Sequence, residues 1–507
     1  MTKGQWAAWV AAALVGCAAV AVGVVTSQAS APTPRASSPT ASAPAPSASS
    51  AAVSGSAYHS RPDLRPPTLT VRRTAPSDPG LLLSTPQSGR SGLLISDDAG
   101  QPVWFKPAGK GRTVGNLRVD TYRGKKVLAY FDGVGSGYYR GEWHLLDTSY
   151  RQIATIAAGD GAQADIHDLL LRPDGTAIIE CYTPVTRDLS AEGGSAHTTV
   201  LDSEIQQIDV ATGKVLFDWH SLDHLPVTES YANLKRSPVD YMHTNTLAAD
   251  PGNPDNVIVS ARHLSQVFAL NLKTGKIGWR VGGKHPTLKL TKGAVDPAPV
   301  GGQQLPFSFQ HDAIVQPDGT LTVFDNGNQR KPPYSRAASF TLDPAAHTVT
   351  EINSAAIRHS PDIYGGAHGS TQKLPGGHTL VSWGTTGRAT EYDSRNHPVE
   401  EITSTDSYRL LRQPWQATPS GLPAVVAGAS APGKATAYVS WNGATDVTTW
   451  QVLAGSTAQT LHTVATVQRA GFETAIAIPA NSAYVSVRAK NVHGTTIGTS
   501  APVTVRQ

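Results

Sequence analysis

The stretch Phe307–Thr320 (FSFQHDAIVQPDGT) contains the pattern that decides the fold. A polar His-Asp pair leads into an apolar run, and the run ends in a Pro-Asp-Gly turn. The same phrase occurs earlier as Ile166–Thr176 (IHDLLLRPDGT), and looser copies surround His243 and His368. A phrase that recurs along the chain predicts a repeat architecture in which each copy belongs to one supersecondary unit.

A second recurring unit consists of a strand, a turn that closes on glycine, and a returning strand that carries tryptophan. Its clearest copies are Leu93–Phe105 (LLISDDAGQPVWF), Gln207–Trp219 (QIDVATGKVLFDW) and Phe268–Trp279 (FALNLKTGKIGW). Each copy reads as an antiparallel hairpin. Two hairpins make a four-stranded sheet, and repeated four-stranded sheets are typical of a β-propeller.

Residues 76–415 are therefore predicted to form an all-β domain, a six-bladed β-propeller. Seven blades, or a stack of β-sandwiches, are the structural alternatives. Residues 424–507 change to strands rich in Ala, Val and Thr, with a tryptophan ending an early strand. Their length and pattern predict a fibronectin type III-like sandwich, which carries no recognisable chemistry and is interpreted as an accessory module.

The first 29 residues are predicted to be a targeting segment. Lys3 precedes an apolar run, and small residues at 27 and 29 suit cleavage after Ala29. A lipid on Cys17 within Leu14–Cys17, or an uncleaved membrane anchor, are the alternatives. Residues 30–75 are predicted to be a disordered Ala/Ser/Pro-rich spacer. All these readings place the protein outside the cytoplasm, secreted or attached to the membrane or cell wall through its N-terminus.

Composition and motifs argue against nucleic acid binding, an internal disulfide and a nucleotide site. The net charge is +4 over 507 residues, and dispersed basic residues do not indicate nucleic acid binding. Cys181 is the one cysteine outside the leader, so no internal disulfide is expected in the folded part, and its apolar surroundings predict a packing role. Gly278–His285 (GWRVGGKH) approaches a phosphate-binding loop but lacks the Ser/Thr and the following helix, which argues against a nucleotide site.

The four histidines of the repeated phrase are His167, His243, His311 and His368. Residues just before the innermost strand of each blade face a shared channel, so these side chains are expected to converge. A single histidine in such a place is most simply a satisfied core or turn residue. Four histidines in one phase predict a functional cluster.

The chemistry of this cluster has two readings. Neutral imidazoles can ligate a transition metal. Arg262, however, lies on the strand expected to pair with that of His243, and its guanidinium suits sulfate, phosphate or carboxylate. Histidines together with an arginine favour an anion site over a metal site, and Asp168 and Asp312 are expected to support loops rather than bind the ligand.

The chain also resembles the bacterial arylsulfotransferases, also called aryl-sulfate sulfotransferases, over roughly residues 80–415. The matching motifs are Ile166–Asp168, Asp240–Asn245, Ser260–His263 with Trp279–Lys284, and Phe309–Asp312 with Phe324–Gly327. The resemblance implies a six-bladed propeller that moves a sulfuryl group from an aryl sulfate donor to a phenol acceptor. It implies neither a nucleotide sulfate donor, nor another cofactor, nor a metal.

Carried over by motif, the resemblance makes His311 the nucleophile, with His167, His243 and Arg262 as catalytic partners and Asn245 as a substrate-binding residue. His368 has no counterpart in the motifs and is assigned to the same site by its repeat phase. The family's periplasmic members carry a disulfide that this chain cannot form internally, and the added sandwich is a second departure. Both features favour an actinobacterial-type branch.

Two other functions remain open at this level. One is a cell-surface propeller that binds a ligand or glycan without catalysis. The other is a metal- or quinone-dependent propeller enzyme. The combination of His167, His243, Arg262 and His311 favours the sulfotransferase.

Overall fold

The computed structural model describes residues 58–87, 90–293, 304–404 and 406–506. The predicted leader and residues 30–57 of the predicted spacer lie outside the described residues. Among the described residues, no helix is long and apolar enough to cross a membrane. The described chain is all-β, with short 3₁₀ turns at Ser190–Glu192, Ser221–Asp223, Val227–Glu229, Arg262–Leu264, Asn353–Ala355 and Gly384–Thr386.

The strands up to residue 249 are β1 (Thr70–Arg73), β2 (Leu81–Ser84), β3 (Gly92–Ser96), β4 (Pro102–Pro107), β5 (Thr113–Tyr122), β6 (Lys125–Ser136), β7 (Tyr138–Leu146), β8 (Gln152–Ile156), β9 (Ala164–Leu171), β10 (Thr176–Arg187), β11 (Thr198–Asp209), β12 (Val215–His220), β13 (Val239–Asp240) and β14 (Thr244–Ala249). The strands from 256 to 413 are β15 (Asn256–Ala261), β16 (Gln266–Asn271), β17 (Ile277–Gly282), β18 (Lys289–Lys292), β19 (His311–Val315), β20 (Thr320–Asp325), β21 (Arg336–Asp343), β22 (Thr348–Glu351), β23 (Ile357–Arg358), β24 (Ser370–Lys373), β25 (Thr379–Ser382), β26 (Arg388–Tyr392), β27 (Pro398–Thr403) and β28 (Leu411–Gln413).

These strands form small, mainly antiparallel sheets in a propeller-like arrangement. The sheet orders are β28-β2-β3-β4, β14-β15-β16-β17, β19-β20-β21-β22 with β18 and β23 added, and β24-β25-β26-β27-β1. Strands β5 to β8 and β9 to β12 form two further meanders that join into one sheet. The predicted hairpins β3-β4, β11-β12 and β16-β17 are confirmed.

The first strands of successive units lie side by side around a common centre. Strand β9 contacts β5 and β14, β19 contacts β14 and β24, and β28 contacts β5. Between β24 and β28, the Gln372 amide donates to the Arg412 carbonyl and accepts from its N–H, both at 2.8 Å. The starts of these strands therefore converge, as the repeated phrase predicts.

The two ends of the sheet-forming region complete each other's sheets. Strand β1 pairs with β27, with Thr70 opposite Thr403, and β28 pairs with β2, with Leu411 opposite Leu83. Each pairing ties the beginning of this region to its end. The pairing of β28 also places Tyr408, just before β28, among residues far from it in sequence.

The spacer prediction is wrong at its C-terminal end, because residues 58–75 belong to the folded body. Leu64 and Leu69 are buried, and the Tyr58 ring lies 4.4 Å from that of Phe472. Strand β1 supplies a sheet edge as well. Residues 58–75 have few apolar residues in a Pro-rich context, so no local pattern indicated a folded segment. The segment is stabilised by contacts with residues distant in sequence.

Apolar clusters fill the space between neighbouring sheets. Phe131 and Trp143 pack edge to face at 5.9 Å between β5–β8 and β9–β12, together with Ile179. Inner strands are covered on both faces, which explains continuous apolar runs such as Leu93–Ile95 in place of alternation. Full burial of one large apolar side chain contributes about 1.5–3 kcal/mol to stability.

The C-terminal strands are β29 (Ala424–Ala431), β30 (Lys434–Ser440), β31 (Thr449–Gly455), β32 (His462–Gln468), β33 (Glu473–Ile478), β34 (Tyr484–Lys490), β35 (Thr496–Thr499) and β36 (Val503–Arg506). They form two layers, one of β36-β29-β30-β33 and one of β32-β31-β34-β35, with β36 also pairing with β34. Trp450 and Val487 lie in the core between the layers. The Asn442 side chain binds the backbone of Phe105 in β4, which attaches this unit to the sheets.

Candidate active site

The four histidines of the repeated phrase lie in one cluster around Tyr408. The ring centroid of Tyr408 is 5.5 Å from that of His167, 6.0 Å from His311 and 5.2 Å from His368. The ring of His243 lies 4.6 Å from that of His167. The structure thus brings together the histidines predicted to converge.

The inner strands position these side chains at their starts. His311 begins β19, and His167 lies within β9. His243 and His368 come just before β14 and β24, with φ values of 54° and 61°. This left-handed backbone conformation is uncommon for residues other than glycine and often marks functional sites.

The aspartates that follow two of the histidines hold the strands together. Asp168 accepts from the Leu247 N–H at 3.1 Å, and Asp312 accepts from the Thr371 N–H at 2.8 Å. Each bond links one inner strand to the next. Arg409 forms ion pairs of 3.1 Å with both aspartates. Their predicted supporting role agrees with these contacts.

Asn245 is fully buried and links two inner strands. Its side-chain amide donates to the Gln310 carbonyl at 2.8 Å, and its own carbonyl accepts from the Tyr408 hydroxyl at 3.1 Å. The residue therefore supports the segment that leads to His311. Its direct contact with substrate stays a prediction.

The tautomer of His311 follows from its hydrogen bonds. The Asn326 amide nitrogen donates to the carbonyls of Gly365 at 2.6 Å and His368 at 3.0 Å, so its oxygen faces the imidazole. His311 Nδ1 lies 2.7 Å from that oxygen and must be the donor. The lone pair therefore lies on Nε2, which accepts from the His368 backbone N–H at 3.2 Å.

Electrostatics keep His311 neutral. Burial lowers its pKa well below the usual value, and the positive charge of Arg262 lowers it further. The side chain donates to a neutral amide rather than to a carboxylate, and only 1% of the residue is exposed. A buried neutral imidazole with its lone pair on Nε2 is a suitable nucleophile.

His167 has the opposite environment. Its Nδ1 donates to Asp165 and lies 3.3 Å from Glu180, and both carboxyl groups are fully buried. Burial alone would lower the pKa of His167, but Asp165 and Glu180 raise it to about 10. His167 is therefore an imidazolium at neutral pH. Burial raises the pKa of Glu180, so one carboxylate, that of Asp165, balances the imidazolium charge.

The other two histidines are neutral. His243 Nδ1 binds Asp240, but burial and the positive charge of His167 lower the pKa of His243 well below its usual value. Burial, with the charges of His167 and Arg262, lowers the pKa of His368 to about 4. One cationic imidazole therefore lies among neutral ones.

Arg262 adds a second cation, and His263 orients it. His263 Nδ1 donates to the Asp240 carbonyl at 2.6 Å, so its Nε2 accepts from the Arg262 guanidinium at 2.7 Å. The guanidinium also donates to the Gly366 carbonyl at 2.9 Å and lies 5.0 Å from the Phe309 ring. In the described part of the chain, the buried Nε of Arg262 has no hydrogen-bond partner and remains a donor for a ligand.

Two residue sets in the cluster have the composition of metal ligands, Asp240-His243-His263 and Asp165-His167-Glu180. In the first set, both ring nitrogens of His263 are already used, one of them by the Arg262 guanidinium. In the second, His167 is cationic. A guanidinium beside an imidazolium suits an oxyanion better than a metal ion.

Several members of the site were absent from the sequence-based prediction. Asp165 and Asp240 lie two and three residues before their histidines, a spacing that could have indicated them. Asn326 lies within the Phe324–Gly327 motif but had no role assigned. No local sequence pattern indicates that Glu180 and Tyr408 belong to the site, because the fold alone brings them there.

Comparison with solved structures gives low similarity. The chain is 13% identical to a Bacteroides caccae protein of unknown function, with TM-score 0.40, covering 66% of this chain and 98% of the other. It is 13% identical to a putative 6-phosphogluconolactonase from Bacteroides fragilis, with TM-score 0.35 and coverages of 66% and 99%. For virginiamycin B lyase from Staphylococcus aureus the identity is 9%, the TM-score 0.31, and the coverages 66% and 87%.

Sequence comparison identifies the family. No curated protein matches the chain significantly. The family model of the arylsulfotransferases (ASST) matches residues 118–405, which is 288 of the 507 residues. This segment includes the four histidines, Arg262 and Asn326. The chain belongs to the arylsulfotransferase family.

Proposed function

We propose that the protein transfers a sulfuryl group from a phenolic sulfate ester to a phenolic acceptor through a sulfated His311, without a nucleotide sulfate donor. The observation that carries this proposal is the tautomer of His311. Asn326 holds its proton on Nδ1, and the lone pair on Nε2 lies in a cluster with two cations. Family membership supports the choice of substrates.

In the first half-reaction, His311 Nε2 attacks the sulfur of the donor. A nitrogen–sulfur bond forms, and the bond between sulfur and the phenolic oxygen breaks. His167 donates its proton to the leaving phenolate. A phenol has a pKa of about 10, so an imidazolium whose pKa is also about 10 is matched to this transfer.

In the second half-reaction, neutral His167 removes the proton of the acceptor phenol. The acceptor oxygen then attacks sulfur, and the nitrogen–sulfur bond breaks. The electron pair returns to His311 Nε2, and His167 is again an imidazolium. The two half-reactions share one site, so the kinetics are ping-pong.

The remaining residues bind and orient the sulfuryl group. Arg262 offers its unpaired Nε to a sulfuryl oxygen and stabilises charge in the transition state. The His368 backbone N–H, which lies 3.2 Å from His311 Nε2, is released towards the same oxygens when sulfur binds there. His243 is assigned as the neutral catalytic partner beside His167, and Asn245 as the support of the segment before His311.

We assign the architecture as a six-bladed propeller followed by a fibronectin type III-like sandwich. Support for six blades comes from six inner strands, β5, β9, β14, β19, β24 and β28, each of which starts a four-stranded unit. Support for the sandwich assignment comes from two layers of strands packed around Trp450.

We further propose that the protein is exported and belongs to an actinobacterial-type branch of the family. The apolar run in the first 29 residues supports export, with the membrane or cell wall as the site of attachment. The single cysteine outside the leader and the added C-terminal unit support the branch. Cys181 is free and buried, and burial raises the pKa of its thiol.

Incubation with p-nitrophenyl sulfate and phenol tests the function. We expect release of p-nitrophenol and formation of phenyl sulfate. His311→Asn should lower the rate on the order of 10⁴-fold or more, as expected for loss of a nucleophile. Phenol-dependent release by folded His311→Asn protein at the wild-type rate would contradict the proposal.

A further inference from the structure

A second cluster of polar side chains lies outside the central site, on the outer strands β11 and β12. Glu204 lies opposite His220 in the antiparallel pairing, and Gln206 lies opposite Asp218. The side chains of these four residues therefore share one face of the sheet. One ligand atom each from Glu204, Asp218 and His220 lies within 4.8 Å of the other two.

Asp202 orients the histidine of this cluster. Its carboxylate accepts from His220 Nδ1 at 2.9 Å, from the Ser221 hydroxyl at 2.7 Å and from the Leu222 N–H at 3.0 Å. A carboxylate accepts hydrogen bonds, so His220 Nδ1 is the donor. The two other donors hold Asp202 in place, and Asp202 in turn fixes the imidazole. His220 Nε2 then faces Asp218, 3.7 Å from its carboxylate oxygen. A carboxylate behind a histidine in this way is the usual support of a metal ligand.

The glutamate is fixed as well. Glu204 is 3% exposed, and its two oxygens accept from the Thr183 hydroxyl at 2.7 Å and the Gln206 amide at 2.8 Å. Gln206 is itself held by the Gly159 N–H at 2.9 Å. Carboxylate oxygens retain further lone pairs when they accept one bond each, so Glu204 can still bind a cation.

In the described part of the chain, His220 is the one basic side chain that contacts the carboxylates of this cluster. Within the described residues, neither Glu204 nor Asp218 forms an ion pair with a lysine or arginine. The central site differs, because Arg262 and the His167 imidazolium already provide positive charge there.

We propose that Glu204, Asp218 and His220 form a binding site for a divalent transition metal of the zinc class, separate from the sulfuryl-transfer site. One imidazole nitrogen and two carboxylates are a ligand set that Zn²⁺ accepts. His220 is 40% exposed in its side chain and Asp218 28%, so an ion reaches the site from solvent. A bound ion joins β11 to β12 through these three side chains.

Zinc titration of the purified full-length protein, freed of metal by a chelator, tests this site. Calorimetry should give binding that is lost in Glu204→Gln/His220→Asn. His397→Asn, which removes an exposed histidine paired with Asp393, should leave the binding unchanged. Asp202→Asn should weaken the affinity about 10- to 100-fold, because it removes the group that orients the ligand.

Thermal unfolding provides a second readout. Zn²⁺ should raise the unfolding temperature of the wild type, because the ion binds the folded state, and should not raise that of the double variant. Absence of binding to the wild type, or equal binding and equal stabilisation in the double variant, would overturn the proposal. Neither measurement depends on sulfuryl transfer, so failure of one proposal leaves the other intact.

Discussion

His167 and His311 occupy the same place in two copies of one phrase, yet their surroundings make them chemical opposites. The Asp165 carboxylate and Glu180 surround His167, and the pKa of His167 rises to about 10. Burial lowers the pKa of His311 well below the usual value, the nearby Arg262 guanidinium lowers it further, and the hydrogen bond to the neutral Asn326 amide does not offset them. Both side chains are buried, so the difference comes from their neighbours.

The repeat thus supplies the position of each histidine, while residues outside the repeat supply its charge state. At His167, the carboxylate beside Nδ1 makes the imidazole a proton donor, and at His311, the amide beside Nδ1 leaves a neutral nucleophile. The proposed sulfuryl transfer uses one of each. The following experiments test this division by altering the neighbours.

Among changes to these neighbouring residues, Asp165→Asn is expected to lower the rate most. Loss of the carboxylate should lower the pKa of His167 and cost about 10²- to 10⁴-fold in rate, the usual contribution of a general acid. The loss should be greater for aryl sulfates whose phenol is a weak acid than for p-nitrophenyl sulfate. The alkaline limb of the pH–rate profile should move to lower pH.

Asp393→Asn, at the exposed His397 pair, is the matched control and should leave the rate unchanged. A purely structural role of Asp165 would slow all donors equally and leave the pH profile in place. That result would show that His167 is not the proton donor.

Arg262→Lys should have the next largest effect. The ammonium keeps the positive charge that lowers the pKa of His311 but loses the planar guanidinium held by His263 and Gly366. We expect a loss of about 10²- to 10³-fold in kcat, typical of removing one donor from an anion site. Steady-state kinetics with p-nitrophenyl sulfate measures it. An unchanged kcat would show that Arg262 does not act on the transition state.

Asn326→Asp should have a smaller effect and would make His311 resemble His167. The new carboxylate should raise the pKa of His311, so the imidazole is protonated below that pKa and lacks its lone pair. Activity at neutral pH should fall roughly tenfold for each unit by which the pKa exceeds the assay pH. It should recover as pH rises. A loss that is independent of pH would point to damage to the bonds with Gly365 and His368 instead.

Much of the fold was predictable from local patterns. The hairpins and the pairing of the strand before Arg262 with that of His243 follow from runs of apolar residues and glycine turns. The start of the folded region was not predictable in this way. Strand β1 pairs with β27, and no short-range pattern in residues 58–75 reveals that contact.

The sequence predicted which histidines form the candidate site, but it did not predict their charge states. Repeat phase indicated the four histidines, and the family motifs separated His311 from the rest. The sequence did not indicate Tyr408 as a member of the site, because its unit carries no histidine. Its position at the centre depends on the pairing of β28 with β2. Glu180 lies on β10, and its closeness to His167 depends on the pairing of β10 with β9.

In the proposed mechanism, His311 and none of the other histidines accepts the sulfuryl group. Mixing the enzyme with p-nitrophenyl sulfate in the absence of phenol, followed by mass analysis of its peptides, tests this directly. We predict one sulfuryl group on the peptide that contains His311, and its loss when phenol is added. A sulfuryl group on His167, His243 or His368, or turnover without any sulfated peptide, would contradict the account.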